Sequence, residues 1–112
     1  MTDRETLHRI EDEAALEAAF ASERAVLYKH SPICGSSLLA LSEVRRFAES
    51  HPDTPVFFID VVDGRALSEA AAERLQVTHE SPQVILMARG TPMWSASHRE
   101  VKAVALAAQV DE

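Results

Sequence analysis

The chain has 112 residues, 46% of them hydrophobic and 26% charged, with a formal net charge of −7 at pH 7. This length fits one domain spanning residues 1–112, which can bury a core without disulfide or metal staples. With this negative net charge, the sequence does not predict the basic surface that binds a phosphate backbone, so nucleic acid is not an expected partner. No segment approaches the roughly 20 apolar residues of a membrane span and the N-terminus has no signal-like apolar region, so we expect no membrane contact and a cytoplasmic location.

The first half of the chain alternates helical and strand-like patterns. An alanine-rich stretch with spaced apolar residues predicts a helix over residues 10–21, and an apolar run predicts a short buried strand over 25–28. Apolar residues at three- and four-residue spacing predict a second helix over 35–50. Turn residues then precede a β-branched and aromatic run, which predicts a central strand over 56–61.

The second half continues the alternation and ends in a hairpin and a helix. A short third helix is predicted to begin near Arg65. Residues 83–88 and 93–96 read as two strands joined by a turn that contains Gly90, and residues 99–110 as a closing helix. The expected fold is therefore a single α/β domain with a central four-stranded mixed sheet flanked by helices.

Cys34 is the only cysteine, and it lies between the first predicted strand and the second predicted helix. A sulfur at the start of a helix faces unpaired N–H groups and the positive end of the helix dipole, which favour the thiolate. A free cysteine is often a buried apolar residue instead, but the small and polar neighbours Ser31, Gly35 and Ser36 are not typical of a core. We therefore interpret Cys34 as a reactive thiol, and a lone cysteine can form no intramolecular disulfide.

Three short motifs, in this order of elements, resemble a known family. They are Lys29-His30-Ser31 before Cys34, residues 79–83 (His-Glu-Ser-Pro-Gln) before the third strand, and residues 94–98 (Trp-Ser-Ala-Ser-His) after the hairpin turn. The pattern covers nearly the whole chain and resembles the thioredoxin-like fold, and more specifically the YtxJ-type monothiol bacilliredoxins. One departure is Gly35, because that family commonly has a proline directly after its active cysteine.

The resemblance implies a thiol–disulfide oxidoreductase of the stress-response type. Its catalytic Cys34 would remove bacillithiol, or a similar low-molecular-weight thiol, from protein mixed disulfides. No bound cofactor is expected; the small thiol is a co-substrate, and the partners are S-thiolated client proteins, the small thiol and its reductase. The resemblance also implies that Ser81 and Pro82 bind substrate, with Pro82 in the cis-proline loop of thioredoxin-like folds.

Three further residues are predicted to stabilise the Cys34 thiolate. The Ser37 hydroxyl lies three residues after Cys34 and can donate to the sulfur, although serine is equally common as an ordinary helix-start residue. Lys29 and His30 can supply positive charge near the sulfur or bind a carboxylate of the small thiol. The alternative is that both are exposed side chains at a strand end. No metal site is predicted, and His79 and His98 are more simply explained as capping or core residues.

Two other functions remain open at this point. The sequence Cys-Gly-Ser-Ser over residues 34–37 partly matches the Cys-Gly-Phe-Ser signature of monothiol glutaredoxins, which carry an iron–sulfur cluster between two subunits. Alternatively, the chain is a non-catalytic thioredoxin-like module that binds peptides, with Cys34 as a redox sensor. An ordinary thiol pKa without exchange activity would favour the second alternative.

Overall fold

A computed structural model describes residues 7–32 and 35–111. The elements alternate along the chain in the order β-α-β-α-β-α-β-β-α. Their bounds are β1 Leu7–Arg9, α1 Glu13–Ala21, β2 Ala25–His30, α2 Ser36–Ser50, β3 Val56–Asp60, α3 Arg65–Leu75, β4 Gln83–Ala88, β5 Thr91–Ser97 and α4 Ala103–Val110. A short 3₁₀ turn, His98–Glu100, stands between β5 and α4.

The strands form one mixed sheet in the order β1-β3-β2-β4-β5. Strands β1 and β2 both pair with β3 in parallel, whereas β4 runs antiparallel to β2 and β5 antiparallel to β4. The carboxyl ends of β1, β2 and β3 therefore share one edge with the start of β4. That edge contains the connection from β2 to α2, in which Cys34 lies.

The core is divided by the sheet into two apolar layers. One layer packs the sheet against α2 and α4, and its largest buried residues are Tyr28, Phe47 and Leu106. The other packs the opposite face against α1 and α3 and includes Leu27 and Ile59. Because side chains alternate along a strand, successive residues of β2 enter opposite layers.

The prediction of four strands was wrong, since the sheet has five strands within residues 7–32 and 35–111. The additional strand, β1, has only three residues, and two of them, His8 and Arg9, are exposed. So short a polar edge strand has no period-2 apolar pattern to reveal it. The register Leu7↔Val56 with β3 forms it, and Ile10, placed in the first helix by sequence, continues the pairing through its N–H to the Phe58 carbonyl at 2.9 Å.

Other differences concern the ends of elements. The first helix begins at Glu13, because the Asp12 carboxylate accepts from the Ala15 N–H at 2.9 Å and caps it there. Strand β2 runs two residues further than predicted, through His30. The closing segment is a 3₁₀ turn followed by α4 from Ala103, rather than one helix over 99–110.

The hairpin between β4 and β5 forms as predicted, with β5 extended to Thr91–Ser97. Its two turn residues, Arg89 and Gly90, have φ of 49° and 80°, the signs required at both central positions of a type I′ turn. Trp94 is partly buried against the layer formed by α2 and α4. Within the described ranges, no helix is both long and apolar enough to cross a membrane.

Candidate functional site

The connection from β2 to α2 is the predicted active-site segment. Cys34, the predicted catalytic residue, lies outside the described residues, so its site is defined by its neighbours in the chain. Ser31 is buried, whereas Pro32 and Gly35 are exposed. The backbone at Gly35 has φ −59°, within the range that proline adopts, and a Cβ added there would meet no atom within 4 Å. The glycine at this position is therefore not required by local space or by backbone conformation.

Ser37 is buried, with 1% of its surface exposed, and its hydroxyl accepts from the Ser31 N–H at 3.3 Å. That bond joins the end of β2 to the first turn of α2 across the Cys34 segment. The Ser37 carbonyl in turn accepts from the hydroxyl of Tyr28, a buried residue of β2, at 3.3 Å. Because a hydroxyl that accepts one bond can still donate another, Ser37 remains able to donate to a sulfur.

Lys29 is fully buried, which rules out the alternative that it is an exposed strand-end side chain. Its side chain enters the layer shared with α3, where Nζ donates to Nδ1 of His79 at 3.2 Å. Burial lowers the pKa of Lys29 from 10.5 to about 8. Desolvation therefore destabilises the ammonium form of Lys29 in the folded protein.

His79 follows α3 and accepts from Lys29 beside the Ser68 hydroxyl, which lies 3.4 Å from the same Nδ1. Desolvation, followed by the positive charge of Lys29, lowers the pKa of His79. A ring nitrogen that accepts from an ammonium carries no proton, so His79 is neutral here with its proton on Nε2.

His30 points to the opposite face of β2, toward α2. Its Nδ1 lies 3.0 Å from the Tyr28 hydroxyl. The pKa of His30 is lowered by desolvation; Asp60 opposes the shift and Arg45 adds to it. A mostly neutral ring follows at pH 7, so His30 acts here through hydrogen bonding more than through charge.

A cleft of about 530 Å³ opens beside His30, between β1 and α2. Its apolar lining includes Leu41 and Phe58, and its polar lining consists of Arg9, His30, Arg45 and Asp60. Pro32, two residues before Cys34, also lines it. We call this space the β1–α2 cleft.

The loop of residues 78–83 approaches the same edge of the sheet from the other side of β2. The Ser81–Pro82 peptide bond is cis, as the family resemblance implies. Buried Gln83 closes the loop, because its side-chain amide donates to the Thr78 carbonyl at 3.0 Å and its side-chain carbonyl accepts from the Glu80 N–H at 3.4 Å.

His98, the first residue of the 3₁₀ turn after β5, holds the same loop. Its Nε2 lies 2.9 Å from a Glu80 carboxylate oxygen, and its backbone N–H donates to the Pro82 carbonyl at 2.9 Å. The left-handed backbone of His98, with φ 57°, turns the chain after β5. His79 and His98 are thus placed as residues that fix the Ser81–Pro82 loop.

The structure brings together all three motifs that the sequence singled out. Lys29 reaches His79, and Lys29 and Gln83 are register partners across β2 and β4, while His98 contacts Glu80 and Pro82. The sequence did not indicate Gln83 as the loop's anchor. Gln83 belongs to one of the shared motifs and is the only polar residue of the otherwise apolar strand β4. These two features could have indicated its role.

Comparison with known proteins agrees with this arrangement. Residues 5–106 match the family model described as monothiol bacilliredoxin BrxC. The chain belongs to the monothiol bacilliredoxin family. Like other bacilliredoxins of this family, it is a thiol–disulfide oxidoreductase, and it is monothiol because Cys34 is its only cysteine.

Solved structures similar to this bacilliredoxin show the thioredoxin fold. One, assigned as an oxidoreductase with a thioredoxin fold, has a TM-score of 0.88 and 24% identity over 100% of this chain and 99% of its own. Mitochondrial thioredoxin 3 of Saccharomyces cerevisiae, in its oxidised form, has a TM-score of 0.77 and 13% identity over 98% of each chain. Oxidised thioredoxin O2 of Arabidopsis thaliana has a TM-score of 0.74 and 21% identity, covering 96% of this chain and 94% of its own. The predicted fold class is confirmed.

Proposed function

We propose that this bacilliredoxin removes bacillithiol, or a small thiol of similar chemistry, from protein mixed disulfides through Cys34. The main support for this proposal is the match to the monothiol bacilliredoxin family. The single cysteine of the chain precedes α2. The first turn of α2, Ser36 to Leu39, contains no carboxylate, so the positive end of the helix dipole is available to a thiolate.

The reaction is a pair of thiol–disulfide exchanges. The Cys34 thiolate attacks the small-thiol sulfur of the mixed disulfide, the client sulfur leaves as a thiolate that takes a proton from water, and Cys34 retains the small thiol as a disulfide. With no second cysteine in the chain, a free small thiol or a partner reductase must resolve that adduct. In the first case a second small-thiol molecule attacks the adduct. This step regenerates the Cys34 thiolate and releases the small thiol as its symmetric disulfide, which a separate reductase consumes.

The predicted site residues divide between two roles in this proposal. Ser37 supports the thiolate by donating its hydroxyl proton while its oxygen accepts from Ser31. Ser81 offers its backbone groups to the substrate, and Pro82 lies against the active cysteine, at the edge where β2 ends and β4 begins. Lys29 acts through His79 on that loop, and His30 acts from the opposite face of the sheet.

The partners in this proposal are S-thiolated client proteins, the free small thiol and its reductase. We place the activity in the cytoplasm, where stress-induced S-thiolation of proteins would supply the substrate. The family match favours this exchange function over iron–sulfur cluster carriage and over a non-catalytic peptide-binding module.

Intact-mass spectrometry of the purified protein tests the proposal. We would incubate wild type and Cys34→Ser with a client that carries bacillithiol, and with the same client carrying glutathione. Wild type should gain one small-thiol mass while the client returns to its reduced mass, and Cys34→Ser should do neither.

The two clients distinguish the proposed thiol from others. Faster transfer from the bacillithiol client would support the specific assignment, whereas equal or faster transfer from the glutathione client would favour a broader or different small thiol. No transfer from either client would contradict the proposal, and a coloured, oxygen-sensitive dimer after reconstitution with iron and sulfide would then favour the cluster carrier.

A further inference from the structure

We infer that the β1–α2 cleft binds the carboxylate-bearing part of the small thiol, with Arg45 as the residue that selects for negative charge. This inference rests on the proposed function, because it assigns a subsite for the small-thiol half of the mixed disulfide. It concerns a different face of the sheet from the Ser81–Pro82 loop.

The position of the cleft fits a group attached to the reacting sulfur. Pro32 lines it and lies two residues before Cys34, and His30 lines it from the end of β2. Pro32 belongs to the connection in which Cys34 lies, and His30 is the last residue of the strand before that connection. A molecule joined to Cys34 by a disulfide therefore has this cleft within a few residues of its point of attachment.

The size and lining of the cleft suit a small molecule better than a protein surface. Its volume of about 530 Å³ lies within the roughly 300–1,000 Å³ of typical small-molecule sites. Leu41 and Phe58 provide apolar contact, and His30 provides a hydrogen-bonding ring. A protein interface typically involves about 20–30 residues on each side, whereas eight residues of β1, β2, β3, α2 and the connection before Cys34 line this cleft.

The charges lining the cleft leave Arg45 available to a ligand. Arg9 is already paired, with Glu11 at 3.1 Å and with Asp63 at 3.7 Å. The Asp60 carboxylate accepts from the Val62 and Asp63 N–H groups at 2.9 and 3.1 Å, which reduces its effect on a second anion.

Arg45 itself is exposed and forms no ion pair with any residue in the described part of the chain. The next residue, Arg46, lies 3.8 Å from Glu43 and does not line the cleft. Because successive residues of a helix are about 100° apart, the two arginines project in different directions. Arg46 is therefore a matched control for Arg45 on the same helix.

Single-turnover transfer from two forms of one client tests the inference. The client carries either bacillithiol, which has carboxylates, or cysteamine, which has an ammonium group, on the same cysteine. Transfer to Cys34 is followed by quenched intact-mass measurements for wild type, Arg45→Gln and Arg46→Gln. Arg45→Gln should slow transfer of bacillithiol about threefold to fivefold and leave cysteamine transfer within about twofold, as expected for one exposed ion pair. Arg46→Gln should change neither rate by more than about twofold.

Raising the ionic strength should shrink the Arg45→Gln effect, since an exposed ion pair is screened by salt. Equal slowing of both adducts by Arg45→Gln, or the same slowing of bacillithiol by Arg46→Gln, would overturn the inference while leaving the proposed function intact. Absence of transfer by wild type from both clients would instead overturn the proposed function and the inference with it.

Discussion

Lys29 and His30 are neighbours on β2, yet they lie in two different environments. Lys29 is buried in the α3 layer and contacts His79, which lies in the same loop as Ser81 and Pro82. His30 lies on the α2 face, contacts the Tyr28 hydroxyl and lines the open β1–α2 cleft with Arg45. In the sequence, Lys29 and His30 look like one charged motif. In the structure, their side chains lie on opposite faces of the sheet.

The comparison shows how the two sides differ in construction. The Ser81–Pro82 side is held by the buried side chain of Gln83, which closes the loop, and by His98, which contacts Glu80 from the 3₁₀ turn after β5. The cleft side has an exposed arginine and a half-buried histidine. We expect substitutions on the first side to change stability strongly, and substitutions on the second to change ligand preference with little effect on stability.

The largest effect should come from Lys29→Met. Because the folded-state pKa of Lys29 is about 8 and its ordinary value is 10.5, the unfolded chain binds the extra proton between these pH values. The free energy of unfolding of wild type therefore rises with pH across this window. Below pH 8 the buried ammonium of Lys29 lowers that free energy by about 3 kcal/mol. The stability of Lys29→Met relative to wild type should fall by about that amount from pH 7 to pH 10.5, measured by urea unfolding.

Lys102→Met is the matched control for this measurement, since Lys102 is exposed at the start of α4. The change with pH in the Lys29→Met difference should exceed that of this exposed control. A pH-independent difference for Lys29→Met would show that Lys29 is not buried as a titrating group.

A smaller loss is expected for Gln83→Met, which keeps the volume of the buried side chain and removes its amide. The Thr78 carbonyl and the Glu80 N–H then lose their partner inside the loop. A typical hydrogen bond contributes about 1 kcal/mol, so the loss of both bonds should lower the free energy of unfolding by about 2 kcal/mol. Exchange with a peptide mixed disulfide should slow as well, and an unchanged rate would show that the loop does not need this anchor.

Ser37→Ala should have an intermediate effect, on the α2 side of the sheet. It removes the acceptor of the Ser31 N–H, a hydrogen bond worth about 1 kcal/mol of stability. If the hydroxyl also supports the thiolate, the pKa of Cys34 should rise and exchange at pH 7 should slow a few-fold. Ser42→Ala, at an exposed position of the same helix, is the control. Loss of stability with an unchanged Cys34 pKa would leave Ser37 a purely structural role.

The smallest effect on stability should come from His30→Asn, which retains a polar atom near the Tyr28 hydroxyl. At pH 7 the change should stay within about 0.5 kcal/mol. Because the pKa of His30 is lowered from 6.5, the unfolded chain binds its proton more readily, and wild type loses stability as the pH falls below 6.5. Thermal unfolding of the variant should therefore be less sensitive to acid than that of wild type, and equal sensitivity would contradict this assignment.

Much of the fold could be predicted from the sequence because its signals are local. The apolar run of β4 and the spacing of buried residues in α2 indicated both elements at nearly their observed bounds. Strand β1 could not be predicted in the same way, because its three residues become a strand only through pairing with β3. The break before α4 was missed for a similar reason, since the His98 N–H bonds to the distant Pro82 carbonyl.

The candidate site follows the same division. The sequence by itself determined that any disulfide chemistry uses one cysteine, that this cysteine lies between β2 and α2, and that three motifs belong to the bacilliredoxin family. Only the tertiary structure decided where the side chains of those motifs go. Alternation along β2 sends Lys29 and His30 to opposite faces, and the layer that each enters sets its solvation and therefore its pKa. Residue identity therefore determines which side chains can ionise. The pKa of each side chain, and its role at this sheet edge, depend on the layer into which it points.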